Sequence, residues 1–150
     1  YLPAGQWFEP TSGTLHKGGA PVLVEASLDQ LPLFYRAGSV VPTREVQQYI
    51  DQSPLRTLEL TAVPGSDGSY RMTTDDGLTR DGAQQHSLFT LRGDRLKIEL
   101  PRAGGASSIQ RLKVRVAGLA EGAEVAFNGQ KARVKDGWVI FTADSGVLSW

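Results

Sequence analysis

Cysteine is absent from the 150-residue sequence, and with it go disulfides, thiolate zinc sites and cysteine nucleophiles. Histidine is scarce: with only His16 and His86, a metal would rest mostly on carboxylates and carbonyls, as calcium does. Neither sign of charge is in excess, since sixteen basic residues balance sixteen acidic ones. A neutral chain lacks the basic face that displaces counterions from phosphate, so nucleic acid is not an expected partner. There is no polybasic segment for anionic lipid, and no run near the roughly 18 apolar residues of a membrane span, so no membrane partner is expected. Helical patterning is missing too: no 3.6-residue apolar stripe extends beyond about two turns. The sequence opens Tyr1-Leu2-Pro3, with no methionine and no charged segment leading into an apolar one. No signal peptide is visible. The chain is expected to be one piece of a larger protein, and the sequence names no compartment.

What is present is short apolar alternation punctuated by Gly, Pro, Asp and Ser, the pattern of an all-β sandwich or barrel. Leu96, Ile98 and Leu100 alternate with Lys97 and Glu99, and Leu112, Val114 and Val116 with Arg111, Lys113 and Arg115. Strand side chains point alternately to opposite faces, so each run offers one face to a core and one to water. Asn128-Gly129 and Asp136-Gly137 accept the positive φ angles of two-residue hairpin turns. Two such turns about eight residues apart predict a three-stranded meander. Gly93-Asp94 predicts a further hairpin, and Asp67-Gly68 another between the strands Leu58–Val63 and Tyr70–Thr73. Around residues 43–55 the chain turns polar and aperiodic and ends in Pro54, as linkers do. We therefore expect two units. Residues 1–52 hold about four strands, too few to close a core. Residues 53–150 hold seven or eight and could fold alone.

One segment is more specific. Pro32-Leu33-Phe34-Tyr35-Arg36-Ala37-Gly38-Ser39-Val40-Val41-Pro42 follows Tyr1-Leu2-Pro3-Ala4-Gly5-Gln6-Trp7-Phe8. Further on stand the strand Leu58–Pro64, the Asp67-Gly68 turn, Thr74-Asp75-Asp76-Gly77 and Asp81-Gly82. This order of motifs resembles the region after the catalytic barrel in family 31 glycoside hydrolases, the α-glucosidases and α-xylosidases. The resemblance covers about residues 1–82. It departs from the family at Pro10-Thr11, where an aromatic pair is usual, and at Thr73-Thr74, which replaces Tyr-Glu.

The resemblance implies the end of a proximal C-terminal β-domain, residues 1–52, followed by a distal antiparallel β-sandwich domain, residues 53–150. Trp7, Arg36, Gly38, Ser39, Asp75, Asp76 and Gly77 are its structural motif residues. It implies a (β/α)8 catalytic barrel of the same polypeptide as partner, hydrolysing α-glycosidic bonds by a retaining mechanism. That chemistry needs two carboxyl groups about 5 Å apart, at the C-terminal face of the barrel. No barrel strand and no nucleophile motif occurs here, so no catalytic residue, cofactor or metal is expected in this chain. The expected role is to buttress the barrel. A carbohydrate-binding module and an immunoglobulin-like adhesion domain are the alternatives, with an oligosaccharide or a protein as partner.

Each tempting residue has a plainer reading. Asp75-Asp76-Gly77 could hold calcium, but neighbours in an extended chain diverge and Asp before Gly forms turns. Trp7 and Trp138 could stack on sugar; aromatics in strands more often fill cores and interfaces. We expect Trp7 to face a neighbouring domain and Trp138, directly after a turn, to be the better sugar candidate. Arg36, in an apolar strand, is expected to need an ionic partner or a contact with the barrel. Gly38 suggests a bulge or close backbone approach. His16 and His86 read as surface residues, since adjacent His86 and Ser87 do not meet in a strand and no nucleophile elbow is present. Arg111, Lys113 and Arg115 read as a solvated sheet face.

Overall fold

The computed structural model describes residues 1–49, 52–75, 77, 79, 81–101 and 109–150. Among these every regular element is a strand. A small sheet is built from β1 (Gln6–Glu9), β2 (Thr14–Lys17) and β3 (Tyr35–Arg36), with β1 central. A four-stranded sheet contains β4 (Val40–Thr43), β5 (Thr57–Ala62), β9 (Arg111–Val116) and β12 (Val139–Thr142), in the order β12-β9-β5-β4. The third, six-stranded sheet contains β6 (Gly68–Thr74), β7 (Gln85–Arg92), β8 (Arg95–Glu99), β10 (Glu124–Phe127), β11 (Gln130–Arg133) and β13 (Gly146–Ser149). Its order is β11-β10-β13-β8-β7-β6.

The two larger sheets face each other and share one core. Leu58 and Leu60 of β5 and Leu112 and Val114 of β9 meet Phe89, Leu91, Leu96, Ile98, Val125 and Leu148 of the other sheet, all fully buried. The alternation read in β8 and β9 is realised: Leu96, Ile98, Leu112, Val114 and Val116 point inward, while Arg95, Lys97 and Arg111 are exposed. The fold is the expected all-β sandwich. One pair departs from antiparallel order, because β5 and β9 run parallel, Leu58 beside Leu112 and Leu60 beside Val114. A parallel pair requires a long crossover, and here β6, β7 and β8 in the opposite sheet provide it.

Turn chemistry was read correctly more often than strand partnership. Asn128 and Gly129 both have positive φ and close the β10–β11 hairpin, and Gly93-Asp94 closes β7–β8. Asp136 and Gly137 also have positive φ, yet the expected three-stranded meander does not form. Lys135 and Trp138 make one bridge, and the chain then crosses to the other sheet, where β12 pairs with β9. Nor do residues 58–63 and 70–73 form a hairpin, for β5 and β6 lie in different sheets. In both places tight turn residues serve a corner between layers. Local sequence specifies the turn and leaves open which sheet receives the next strand.

The small sheet is fused to the sandwich. Phe8 faces inward and packs with Val63 and Ala117, flanked by Tyr35 and Ala37. The Arg-Ala-Gly-Ser run carries the chain from β3 in the small sheet to β4 in the large one. Here Gly38 N–H donates to Val63 C=O (2.8 Å) and Val63 N–H to Ser39 C=O (2.9 Å). The boundary expected at residues 52/53 lies in the β4–β5 connection, and β4 pairs with β5 across it, Val40 beside Ala62 through Thr43 beside Glu59.

Two glycines set the closeness of this joint. Gly38 has φ +90°, and a Cβ on it would lie 2.9 Å from the Asp67 carbonyl oxygen. A Cβ on Gly68 would collide with the Gly38 carbonyl, although Gly68 has no unusual φ. We expect Gly68→Ala to lower the unfolding free energy by about 1–3 kcal/mol through backbone overlap. Gly93→Ala, with open space around it but φ +55°, should cost only the left-handed penalty of about 1–2 kcal/mol. Urea denaturation of both variants measures the difference.

Candidate functional site

The β1–β2 hairpin makes a polar site that sequence reasoning missed. The register sets Trp7 opposite His16 and Glu9 opposite Thr14, so Glu9 and His16 are diagonal neighbours on one face. Phe8, between them in sequence, points the other way into the joint with the sandwich. The Glu9 carboxylate accepts from Ser12 Oγ at 2.8 Å and lies 2.9 Å from His16 Nε2. Glu9 is buried, and burial of a carboxylate is tolerated when it is this well bonded. The bonds from His16 and Ser12 hold its pKa below the ordinary value, outweighing the opposing effect of burial. His16 is itself half-buried and meets the edge of Phe34, with ring centroids 5.5 Å apart. It is therefore no free surface histidine. The legible signal was the pairing of Glu9 and His16 across a four-residue turn.

Trp138 occupies the outer face of the four-stranded sheet. Lys113 Nζ stands 4.3 Å and the Arg115 guanidinium 4.4 Å from its ring centroid. Both cations come from the expected solvated stripe on β9, and the indole gathers two of them over its negative face. Lys113 also pairs with Glu59 at 2.7 Å, and Arg115 donates to the Pro10 carbonyl at 3.2 Å. Beside this cluster lies a hollow of about 270 Å³ lined by Pro10, Thr11, Ser12, Arg115 and Gly137, among others. The structure brings Trp138 together with that basic pair and keeps it half-buried.

Trp7 lies on the face of the small sheet turned away from the sandwich. Its Nε1–H donates to the Pro3 carbonyl at 2.8 Å, and it crowds Gly18, where a Cβ would reach to 2.8 Å of Nε1. Trp7 thus stands on β1 of the small sheet while Trp138, just ahead of β12, lies against Lys113 and Arg115 of the four-stranded sheet, and the two do not line one platform. Arg36 pairs with Trp7 in the β1–β3 ladder, but its side chain is exposed and no ion pair forms with any described residue. Of the two expected partners, the ionic one is not found among the described residues, and Arg36 stands exposed on the edge strand β3. Asp75 Oδ1 accepts from Gly77 N–H at 3.0 Å, which is a turn-forming bond. Asp76 lies outside the described residues. Among the described residues no group of three or more His, Asp or Glu side chains is placed to hold a metal ion. His86 Nδ1 lies 3.0 Å from Thr73 Oγ1 on the exposed face, while neighbouring Ser87 is buried on the opposite one.

No family model matches the chain. It is 31% identical over 81 residues to a 1,6-α-glucosyltransferase of Sporosarcina globispora, an alignment covering 51% of this chain and 6% of that protein. A family 31 α-xylosidase of Xanthomonas citri superposes on 96% of the chain with a TM-score of 0.67 and 27% identity, using 17% of its own length. A family 31 dextranase of Flavobacterium johnsoniae matches 99% of the chain in fold, with a TM-score of 0.73 and 21% identity, over 23% of its length. The chain thus spans less than a quarter of each of these proteins.

Because the folded pKa of Glu9 lies below its unfolded value of 4.5, its bonds stabilise the fold above that value. The contribution disappears as pH falls from about 4.5 through the folded pKa. Glu9→Gln should therefore lower stability at pH 7 and show a shallower loss than wild type between pH 4.5 and 3. Urea midpoints at pH 7, 4.5 and 3 check it; parallel curves for the two proteins would contradict the assignment.

Proposed function

We propose, on the premise that the chain is a C-terminal β-region of the family 31 glycoside hydrolases, that it is the non-catalytic buttress of a (β/α)8 barrel in the same polypeptide. In this reading the barrel hydrolyses α-glycosidic bonds by a retaining mechanism, and residues 1–52 and 53–150 correspond to the end of a proximal domain and a distal domain. The observation that carries it is the whole-chain fold match to proteins four or more times longer, at 96–99% of this chain.

The local chemistry agrees with a supporting role. The best-placed carboxylates are already engaged: Glu9 by Ser12 and His16, Glu59 by Lys113, Glu124 by Lys131 at 2.6 Å. A general acid or nucleophile needs a carboxyl group free to meet substrate, with its partner about 5 Å across the scissile bond. The three similar proteins are named for a transferase, a xylosidase and a dextranase. A β-region common to different activities is suited to holding a barrel rather than to choosing its substrate.

Oligosaccharide binding at Trp138 is the second reading. It rests on the half-exposed indole and the adjacent hollow lined by Thr11, Ser12 and Arg115. Sugar would have to share the ring with Lys113 and Arg115, so any such contact is weak.

Deleting residues 1–150 from the longer polypeptide should lower its thermal midpoint by at least about 5 °C, since burial of an interdomain interface stabilises both partners. Glucosidase activity against a chromogenic α-glucoside should persist below the new midpoint. An unchanged midpoint would sink the buttress reading. In a separate titration with maltose and isomaltose oligomers, the Trp138 indole signal should stay unshifted below millimolar sugar; saturable shifts there would favour the binding module.

A further inference from the structure

We infer that residues 21–34 form a docking strap that packs onto the apolar surface of the catalytic barrel; this rests on the buttress reading and assigns its contact surface. The segment reads Pro-Val-Leu-Val-Glu-Ala-Ser-Leu-Asp-Gln-Leu-Pro-Leu-Phe. It joins β2 to β3 and has no regular structure. Leu23 and Leu28 are fully exposed, Leu31 is 73% exposed and Leu33 44%. Isolated surface leucines need no explanation, but four exposed ones within eleven residues of one connection concentrate apolar surface as interaction segments do.

The strap is pinned at both ends and unpaired between them. At its start, Leu2 N–H donates to the Ala20 carbonyl and Gly19 N–H to the Leu2 carbonyl. At its end, the Phe34 ring meets His16, which Glu9 holds in place. Between these anchors the hydrogen bonds formed with described residues are local: Gln30 N–H to Ser27 C=O, and Ser27 Oγ to Asp29. Chain of this kind usually carries polar turn residues. Here aliphatic side chains are held out over water on a fixed base.

The direction of the strap identifies what it meets. Phe8 points from the small sheet into the joint with the sandwich, so strand alternation places Trp7 and His16 on the opposite face. The Phe34 end of the strap lies on His16, hence on the face turned away from the chain's own core. Its composition narrows the partner. No lysine or arginine occurs between Lys17 and Arg36, while Glu25 and Asp29 carry negative charge. Phosphate-bearing ligands and anionic membranes are disfavoured by that sign. Leucines offer a sugar no flat aromatic face. What remains is an apolar protein surface with a basic rim to complement Glu25 and Asp29. The structural relatives place this fold within chains of which it forms only 17–23%, so the occupant is in the same polypeptide.

Hydrogen exchange of the longer polypeptide, followed over peptides from 20–34, tests the strap directly. With no ladder bonds of their own, these amides should exchange at intrinsic rates if the segment is free, and at least about tenfold slower if it is docked. Leu28→Asp/Leu31→Asp should restore fast exchange there and lower the thermal midpoint, whereas Leu28→Ile/Leu31→Ile should keep both. Intrinsic rates in the wild-type polypeptide would overturn the strap, and leave the buttress reading standing if deletion of residues 1–150 still lowers the barrel's midpoint. Protection that vanishes on dilution would identify a second copy as occupant, which also overturns the assignment.

Discussion

The attachment of the small sheet to the sandwich centres on one joint, at Val63. Its backbone is bonded on one side to Gly38 and Ser39, and its side chain is buried between Phe8 and Ala117. The small sheet has four-, four- and two-residue strands, too little to hold a core of its own. It persists because Phe8 uses the end of the sandwich as its interior. The joint works at van der Waals distance only because Gly38 and Gly68 have no side chains where their backbones touch. The Arg-Ala-Gly-Ser run is thus given a structural part: Arg36 ends one sheet, Gly38 makes the contact, and Ser39 begins the crossing into the next.

The faces of the strands were legible in the sequence; the partners were not. Leu96 and Ile98, or Leu112 and Val114, announce which side is buried because pleating has a period of two. Asn128-Gly129 announces a reversal because few residues tolerate positive φ. Neither rule says which of two sheets the chain enters next. Asp136-Gly137 makes the expected turn and then delivers β12 to β9 rather than to β11. The parallel β5–β9 pair was invisible for the same reason, since its two strands are about fifty residues apart, Leu58 beside Leu112. The Glu9–His16 pair is intermediate: a short hairpin could have been read, but its burial depends on Phe34 returning from the far end of the strap.

The candidate residues sort by what surrounds them. Trp138 attracts attention as a ring beside a turn, yet it is the centre of a cation cluster that covers the outer sheet face. Arg36 attracts attention as a charge in an apolar run, yet it stands exposed at a sheet edge, where a charge needs no ion pair within this chain. In both cases sequence showed an anomaly of composition, and the third dimension supplied an ordinary reason for it. Asp75 follows the same logic, with its carboxylate used to cap a turn.

The strap is the anomaly that the third dimension does not absorb. Its two ends are held by bonds that any stable loop would have, and its middle leaves leucines in water. Exposed apolar surface is unfavourable by about 25 cal/mol per Å², so a chain that keeps it on a pinned base has a use for it. Pinning also lowers the entropy lost when the segment is covered, because the anchors at Leu2 and His16 are already in place. A support that acts by burying surface needs such a preformed contact more than it needs a pocket. On the proposed buttress reading the molecule divides accordingly: the sandwich provides rigidity, the Val63 joint transmits it, and the strap side of the small sheet is where it is delivered.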